Sequence, residues 1–375
     1  EPLAFLKAFM EERRTEDQTF SYMGGLVGYF SYEFSGLTEP SFIGEEDPGF
    51  PTFELGFYQE GIIYDHSSFR AYHFGDRDSP LMEALASLRP AEEPRIAFGP
   101  EKRVVSQSEF EDAVREAKRR IFEGEIFQVV LSRGTERSFQ GNPLALYAAL
   151  RATNPSPYMF YLDHGPRRVL GSSPETLVSL RKGEVVTFPI AGTRPIGSGP
   201  KETRRYRDEM LQDDKERAEH CMLVDLARND VGKVCEVESV HVPEFMQVES
   251  FSHVQHIVSK VQGTLAKGKC AVDALAALFP AGTVSGAPKP RAMEVIAELE
   301  GRPRGPYAGG VGYLSLNGNL DSAIAIRSAF CAEGVLRTQA GAGIVADSDP
   351  TREYLETEQK LGALSASFSM LEARA

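Results

Sequence analysis

Apolar and polar residues alternate in two stretches near the start of the chain, 23–34 (MGGLVGYFSYEF) and 53–74 (FELGFYQEGIIYDHSSFRAYHF), with aromatic residues and glycine punctuation. A period of two sends successive side chains to opposite faces, so both stretches predict strands. A short helix is expected over 80–88. The segment 89–103 (RPAEEPRIAFGPEKR) is rich in proline and charge and reads as a linker. The period then changes. Ser106 and Glu109 form an S-x-x-E capping box, Phe110, Val114, Ala117 and Ile121 recur at helical spacing, and Gly124 closes the helix. Strands are expected over 126–134, 157–163, 168–181 and 184–195, and a long helix over 202–227. Two strand-like runs surround 246–261, helices fit 271–278 and 290–299, a glycine-punctuated β region covers 307–345, and a last helix runs over 350–372. Strands and helices come in blocks rather than in strict alternation. That favours an α+β fold with antiparallel sheets packed against helices.

The chain has 375 residues, 42% hydrophobic and 25% charged. At about 150 residues per domain this is one large domain or two to three ordinary ones. There is ample apolar surface to bury, which excludes a polar disordered chain. No run of about 18 apolar residues exists, so no membrane-spanning helix is expected. The start, EPLAFLKAFMEERR, has acids at both ends and no small-residue cleavage site, unlike a secretory signal. It has no initiator Met, and the numbering is expected to begin inside a longer or trimmed chain. The net charge of −13 makes nucleic acid a poor partner. An anionic substrate needs a local cluster of cations or a metal to overcome that field. Cys221, Cys235, Cys270 and Cys331 show no CxxC spacing. They read as small, half-buried hydrophobes in a reducing compartment rather than as a zinc site or disulfide framework.

Several groups could carry chemistry. Glu216 and Glu219 lie three apart on an expected helix and share a face, as do Glu353 and Glu356 on the last helix. Two such helices could hold one hard cation; equally, they could be solvated faces. The glycine-rich run 279–292 (FPAGTVSGAPKPRA) precedes a helix but fails the P-loop spacing. Its backbone N–H groups suit a carboxylate or a phosphate, and 341–350 (GAGIVADSDP) offers a similar close approach. Tight turns explain both runs as well. Arg327 interrupts an apolar strand and needs an anion, either an internal acid or a ligand carboxylate. His253, beside Ser252, fits a hydrogen-bonded core residue or an acid–base group.

Taken with GEIFQVVLS, NPSPYMFYL, GSSPETLV, PIAGTRPIG, DDKERAEHCMLVDLARND, SHVQHIVS, RGPYAGGVGYL, DSAIAIRS and EYLETEQK, in order from about 124 to 360, these segments resemble the chorismate-utilising enzymes. GGLVGYFSYEF is similar to the N-terminal region of that family. The resemblance implies two antiparallel sheets packed with helices around a central cleft. Residues 1–95 would be the remnant of an N-terminal segment packed on the core, and 96–375 a chorismate-binding catalytic core forming one cooperative unit. It implies Mg²⁺ bridging the substrate's ring carboxylate to Glu219 and Glu356, with Glu216 as a nearby supporter. Glu175 would be the general acid that protonates the departing 4-hydroxyl. Gly192, Thr193, Thr283, Tyr307, Arg327, Gly341, Ala342 and Gly343 would hold the substrate, with Arg327 and Tyr307 on the enolpyruvyl carboxylate and the glycine backbone on the ring carboxylate. His253 would stand beside the ring, and Lys360 near the metal helix; with Glu175 and Thr193 they complete the expected catalytic set.

Two positions discriminate within the family. Isochorismate and salicylate synthases carry a water-activating lysine where Gln128 stands, and a neutral amide cannot act as that base. Many aminodeoxychorismate synthases carry a nucleophilic lysine where Ala191 stands. Ammonia is then the remaining nucleophile, the pattern of anthranilate synthase component I, and NPSPYMFY points the same way. In that branch NPSPYMFY lines a tryptophan feedback pocket, whose N-terminal L-L-E-S segment is not found here, so tryptophan inhibition is not expected to be intact. No Cys/His amidotransferase pattern is visible, which implies a glutamine amidotransferase partner (component II), a hetero-oligomer and a cytoplasmic enzyme. An aminodeoxychorismate synthase lacking the lysine and a non-catalytic chorismate-binding subunit are the alternatives.

Overall fold

The computed structural model describes residues 1–42, 44–89, 92–250 and 254–373. Two large antiparallel sheets share the chain. The first runs, in spatial order, Ile190–Pro195, Val254–Thr264, Glu184–Thr187, Thr176–Arg181, Leu320–Ile324, Gly310–Ser315, Gly25–Phe30 and Phe53–Tyr58, with His241–Ser250 also paired to Val254–Thr264. The second runs Gly286–Ala287, Gln128–Gly141, Val335–Ile344, Ser328–Ala332, Arg167–Ser173 and Tyr158–Asp163. A hairpin of Gly61–Asp65 and Arg70–Phe74 stands apart. The α+β class and the antiparallel pairing expected from the sequence are both present.

Two of the changes of sheet pass directly from one strand to the next, at the centre. The chain leaves the second sheet at Ser173 and enters the first at Thr176; it leaves the first at Ile324 and returns to the second at Ser328. The two crossovers hold each other: Ile324 N–H donates to the carbonyl of Glu175 (3.0 Å) and Ser172 N–H to that of Arg327 (3.1 Å). Arg327 adopts φ 51°, a left-handed conformation costly for a residue with a Cβ.

Helices cover the sheets. Gln107–Phe122 begins at the expected capping box, with both reciprocal bonds formed, and buries Phe110, Val114 and Ala117. The long helix expected over 202–227 is two helices, Pro200–Gln212 and Asp214–Gly232. Asp213 breaks it: its side chain accepts from the N–H groups of Lys215 (3.0 Å) and Glu216 (3.2 Å), capping the second helix. The helix Pro2–Glu12 was not anticipated; it buries Leu6. The segment 89–103 is not simply a linker, because Ile96–Phe98 pairs with Phe139–Gly141 and joins the sheet edge. The final helix, Pro350–Glu372, packs on Val335–Ile344 and against Leu144–Thr153. Under these two helices lies a separate apolar cluster of Leu146, Leu150, Leu170, Ala329, Cys331, Leu336, Leu364 and Phe368. Each such leucine contributes about 1.5–3 kcal/mol by leaving water. The main core lies between the sheets and the helices Gln107–Phe122, Asp214–Gly232 and Lys289–Glu300. The four cysteines are unpaired; Cys235 and Cys331 are buried, whereas Cys221 is exposed, contrary to expectation. Among the described residues no helix is long and apolar enough to cross a membrane.

Candidate active site

The crossovers set an acid and a cation at the junction of the sheets. Glu175 is only 8% exposed. Burial pushes its carboxyl up to about 7; Thr283, Arg327 and Lys360 pull the other way but do not cancel it. Burial also works against the charge of Arg327, and Glu175 supports it. Among the described residues Arg327 makes no ion pair within 4 Å, so Glu175 acts on it across a gap rather than by contact. Thr283, in the single turn Gly282–Val284, keeps its Oγ1 buried, with Glu175 as the group it acts on.

The strand Val335–Ile344 brings in Gly341, which is buried, and Gly343, which is half-buried. A Cβ on Gly341 would meet the hydroxyl of Tyr307 at 2.9 Å and the carbonyl of Leu131 at 3.0 Å. A Cβ on Gly343 would stand 2.7 Å from Nε2 of Gln128. Ala342, between them, is fully buried in the main core. Lys360 Nζ donates to the carbonyl of Gly341 at 2.8 Å and pairs with Glu356 at 2.7 Å.

Acids converge from two helices. Glu219 on Asp214–Gly232 accepts from Gln128 Nε2 at 3.1 Å. Burial raises its pKa, and the charges of Glu216 and Glu356 add to the shift, against the Gln128 amide and Lys215. Glu353 is raised too, by burial first and then by Glu356. Glu216 is paired with Arg194 at 2.9 Å. Among the described residues no three His, Cys, Asp or Glu side chains stand at metal-holding spacing. The donor set nevertheless fits a magnesium ion: hard carboxylate oxygens whose mutual repulsion a divalent cation would relieve.

The strand Ile190–Pro195 closes the other side. Gly192 has φ 65°, and a Cβ there would lie 3.1 Å from Glu216 Oε2. His256 Nδ1 lies 2.8 Å from the carbonyl of Gly192, to which it donates, and 3.1 Å from Thr193 Oγ1. That bond puts the ring's lone pair on Nε2. Burial lowers the His256 pKa and Arg327 adds to this, so the ring is neutral near pH 7. His253 lies outside the described residues. The histidine the structure brings to the site is His256, which the sequence reading missed. Both histidines belong to the segment SHVQH.

Residues 1–366 match the sequence pattern of the family described as chorismate binding enzyme. The chain belongs to this family. It is 48% identical over 371 residues to anthranilate synthase component 1 of Methanothermobacter marburgensis, covering 98% of this chain and 79% of that protein. It is 45% identical over 373 residues to anthranilate synthase component 1 of Saccharolobus solfataricus, covering 99% and 86%. The crystal structure of anthranilate synthase component I from Streptococcus pneumoniae superposes with a TM-score of 0.88 at 38% identity, covering 98% of this chain and 85% of that one.

In this chorismate-binding enzyme the residues singled out from the sequence form a linked set. Lys360 joins Gly341 to Glu356, Gln128 joins Gly343 to Glu219, and Tyr307 packs over Gly341. Thr283 and Arg327 act on Glu175, and His256 bonds to Gly192 and Thr193 within the field of Arg327. Arg304 also belongs to the setting and carries no signal in the sequence. Its buried guanidinium pairs with Glu300 (2.6 Å), donates to the carbonyls of Val284 (2.8 Å) and Val130 (2.7 Å), and lies 5.8 Å from the ring of Tyr307.

Proposed function

We propose that this chain converts chorismate and ammonia to anthranilate, pyruvate and water, as the aminating component of an anthranilate synthase. The observation that carries the reading is the neutral pair at the two discriminating positions. Gln128 spends its amide on Glu219, and Ala191 is buried with nothing to attack with. Neither can supply water or a lysine as nucleophile, which leaves ammonia. The names of the relatives support the same reading.

The residues divide the work. Arg327 and Tyr307 take the enolpyruvyl carboxylate, and the backbone of Gly341, Ala342 and Gly343 approaches the ring carboxylate. Glu219 and Glu356 would hold Mg²⁺, with Glu216 beside them; the ion would supply charge neutralisation and orientation of that carboxylate. Glu175 keeps its proton near neutrality and gives it to the 4-hydroxyl, which leaves as water while ammonia bonds to ring carbon 2. His256, placed by Gly192 and Thr193, accepts the carbon 2 proton in the second step. The C–O bond to the enolpyruvyl group then breaks, pyruvate departs and the ring becomes aromatic. Thr193 shares the contact that fixes the imidazole, and Lys360 fixes Gly341. A glutamine amidotransferase subunit would deliver ammonia in a cytoplasmic hetero-oligomer.

The test is anthranilate fluorescence from purified chain, chorismate, Mg²⁺ and ammonium at high pH, where free NH₃ is abundant. Magnesium-dependent anthranilate, with no signal from glutamine alone, is expected. Chorismate consumed without anthranilate, with a product mass of aminodeoxychorismate or isochorismate, would overturn the reading.

A further inference from the structure

We propose that Arg194 withholds Glu216 from the cation, so that two carboxylates rather than three hold it. This rests on the magnesium reading above and deepens it.

Arg194 follows Gly192 and Thr193 on the strand Ile190–Pro195. Its Nη1 donates to Glu216 Oε1 at 2.9 Å and to the carbonyl of Thr193 at 3.0 Å, and its Nη2 to Asp213 Oδ2 at 3.3 Å. The other oxygen of Asp213 caps the helix Asp214–Gly232 at Lys215 and Glu216. One guanidinium thus spans the substrate strand and the first turn of the helix that carries Glu219. The second oxygen of Glu216 rests against Gly192, where a Cβ would approach to 3.1 Å. Glu216 is therefore held by the guanidinium on one oxygen, while the other lies close to the bare Cα of Gly192. It lies one turn before Glu219 on the same helix face, close enough to join the same cation if released.

Release would change the site. Magnesium keeps several waters and is bound through one or two carboxylates plus substrate oxygens. A third carboxylate would tighten the cation and occupy a position the ring carboxylate needs. Arginine suits the restraint, because its planar guanidinium offers separate N–H groups to Glu216, Asp213 and the Thr193 carbonyl at once.

The experiment is calorimetric titration of the substrate-free chain with MgCl₂ and with MnCl₂, on the wild type, Arg194→Met, Glu216→Gln and the double variant. Arg194→Met is expected to bind each cation roughly fivefold or more tightly, a coupling of the size direct neighbours show. Its KM for chorismate should rise at saturating Mg²⁺. In the Glu216→Gln background the arginine change should have no further effect on cation affinity. Arg194→Lys, which keeps the charge without the fork, should fall between Met and the wild type; melting curves confirm that each variant is folded. Equal tightening in both backgrounds would mean that Arg194 acts only through its field, and no tightening would mean that it only braces the helix; either overturns the proposal. A wild type that binds neither cation removes the magnesium reading as well, whereas a wild type that binds beside unchanged variants removes this inference alone.

Discussion

Lys360 and Gly341 are joined by a 2.8 Å hydrogen bond from the ammonium to the backbone carbonyl, which pins the final helix to the glycine strand. The same ammonium stands 2.7 Å from Glu356, one turn earlier. Both Lys360 and Glu356 have side chains 47% exposed, so this pair adds little to stability. Its effect falls on the site. Lys360→Met is expected to raise KM for chorismate about tenfold, the value of one charged hydrogen bond, with little change in melting temperature. Steady-state kinetics beside a thermal melt separates the two effects.

Glu175→Gln should lower turnover by about a hundredfold or more, because the amide has no proton to give the leaving oxygen. Its effect on stability has the opposite sign. A carboxyl raised above its unfolded value stabilises the fold at low pH and loses that contribution as the pH passes its folded pKa. For Glu175 the window runs from 4.5 to about 7. The variant should melt close to the wild type at pH 4 and above it at pH 8. A lower melting temperature at pH 8 would contradict the burial argument.

Gly341→Ala places a methyl against the Tyr307 hydroxyl and the Leu131 carbonyl, at 2.9 and 3.0 Å. One neighbour is backbone, so the tyrosine must give. We expect a loss of about 1–3 kcal/mol in stability from overpacking and a larger KM for chorismate. Urea unfolding and kinetics on the same preparation measure both.

Arg304→Met should be among the costliest single changes outside the contact set. It leaves Glu300, with a side chain 6% exposed, charged without its cation, and strands two carbonyls. About 3–5 kcal/mol of destabilisation is expected. The double variant with Glu300→Gln should recover part of it, which a pair of denaturation midpoints would show.

Local pattern carried much of the fold. The helix from Ser106 was legible because its cap, its apolar period and its closing glycine agree. The break at Asp213 was missed although aspartate is a strong N-cap, because charged helix formers continue on both sides. The changes of sheet at 173–176 and 324–328 leave no periodic trace: a strand reads the same whichever sheet receives it. Glu175, Arg327 and the two acidic helices were found through a resemblance spread along the chain, while spacing alone left solvated faces and core contacts open. His256 needed its partner, Gly192, to be told apart from its neighbour three residues earlier. Arg304 needed the fold itself, since nothing before Gly305 marks a buried cation.

The two crossings have a consequence for assembly. Each sheet is stitched from distant stretches of chain, with Gly25 opposite Ser315 in one and Gln128–Gly141 beside Val335–Ile344 in the other. Such pairings close late and slowly, because long loops must be ordered before any contact rewards them. The acid and the arginine lie on the stitches themselves, so neither half of the molecule can hold them in register. A ligand that binds between the acid and the arginine therefore favours the state in which both crossings are formed.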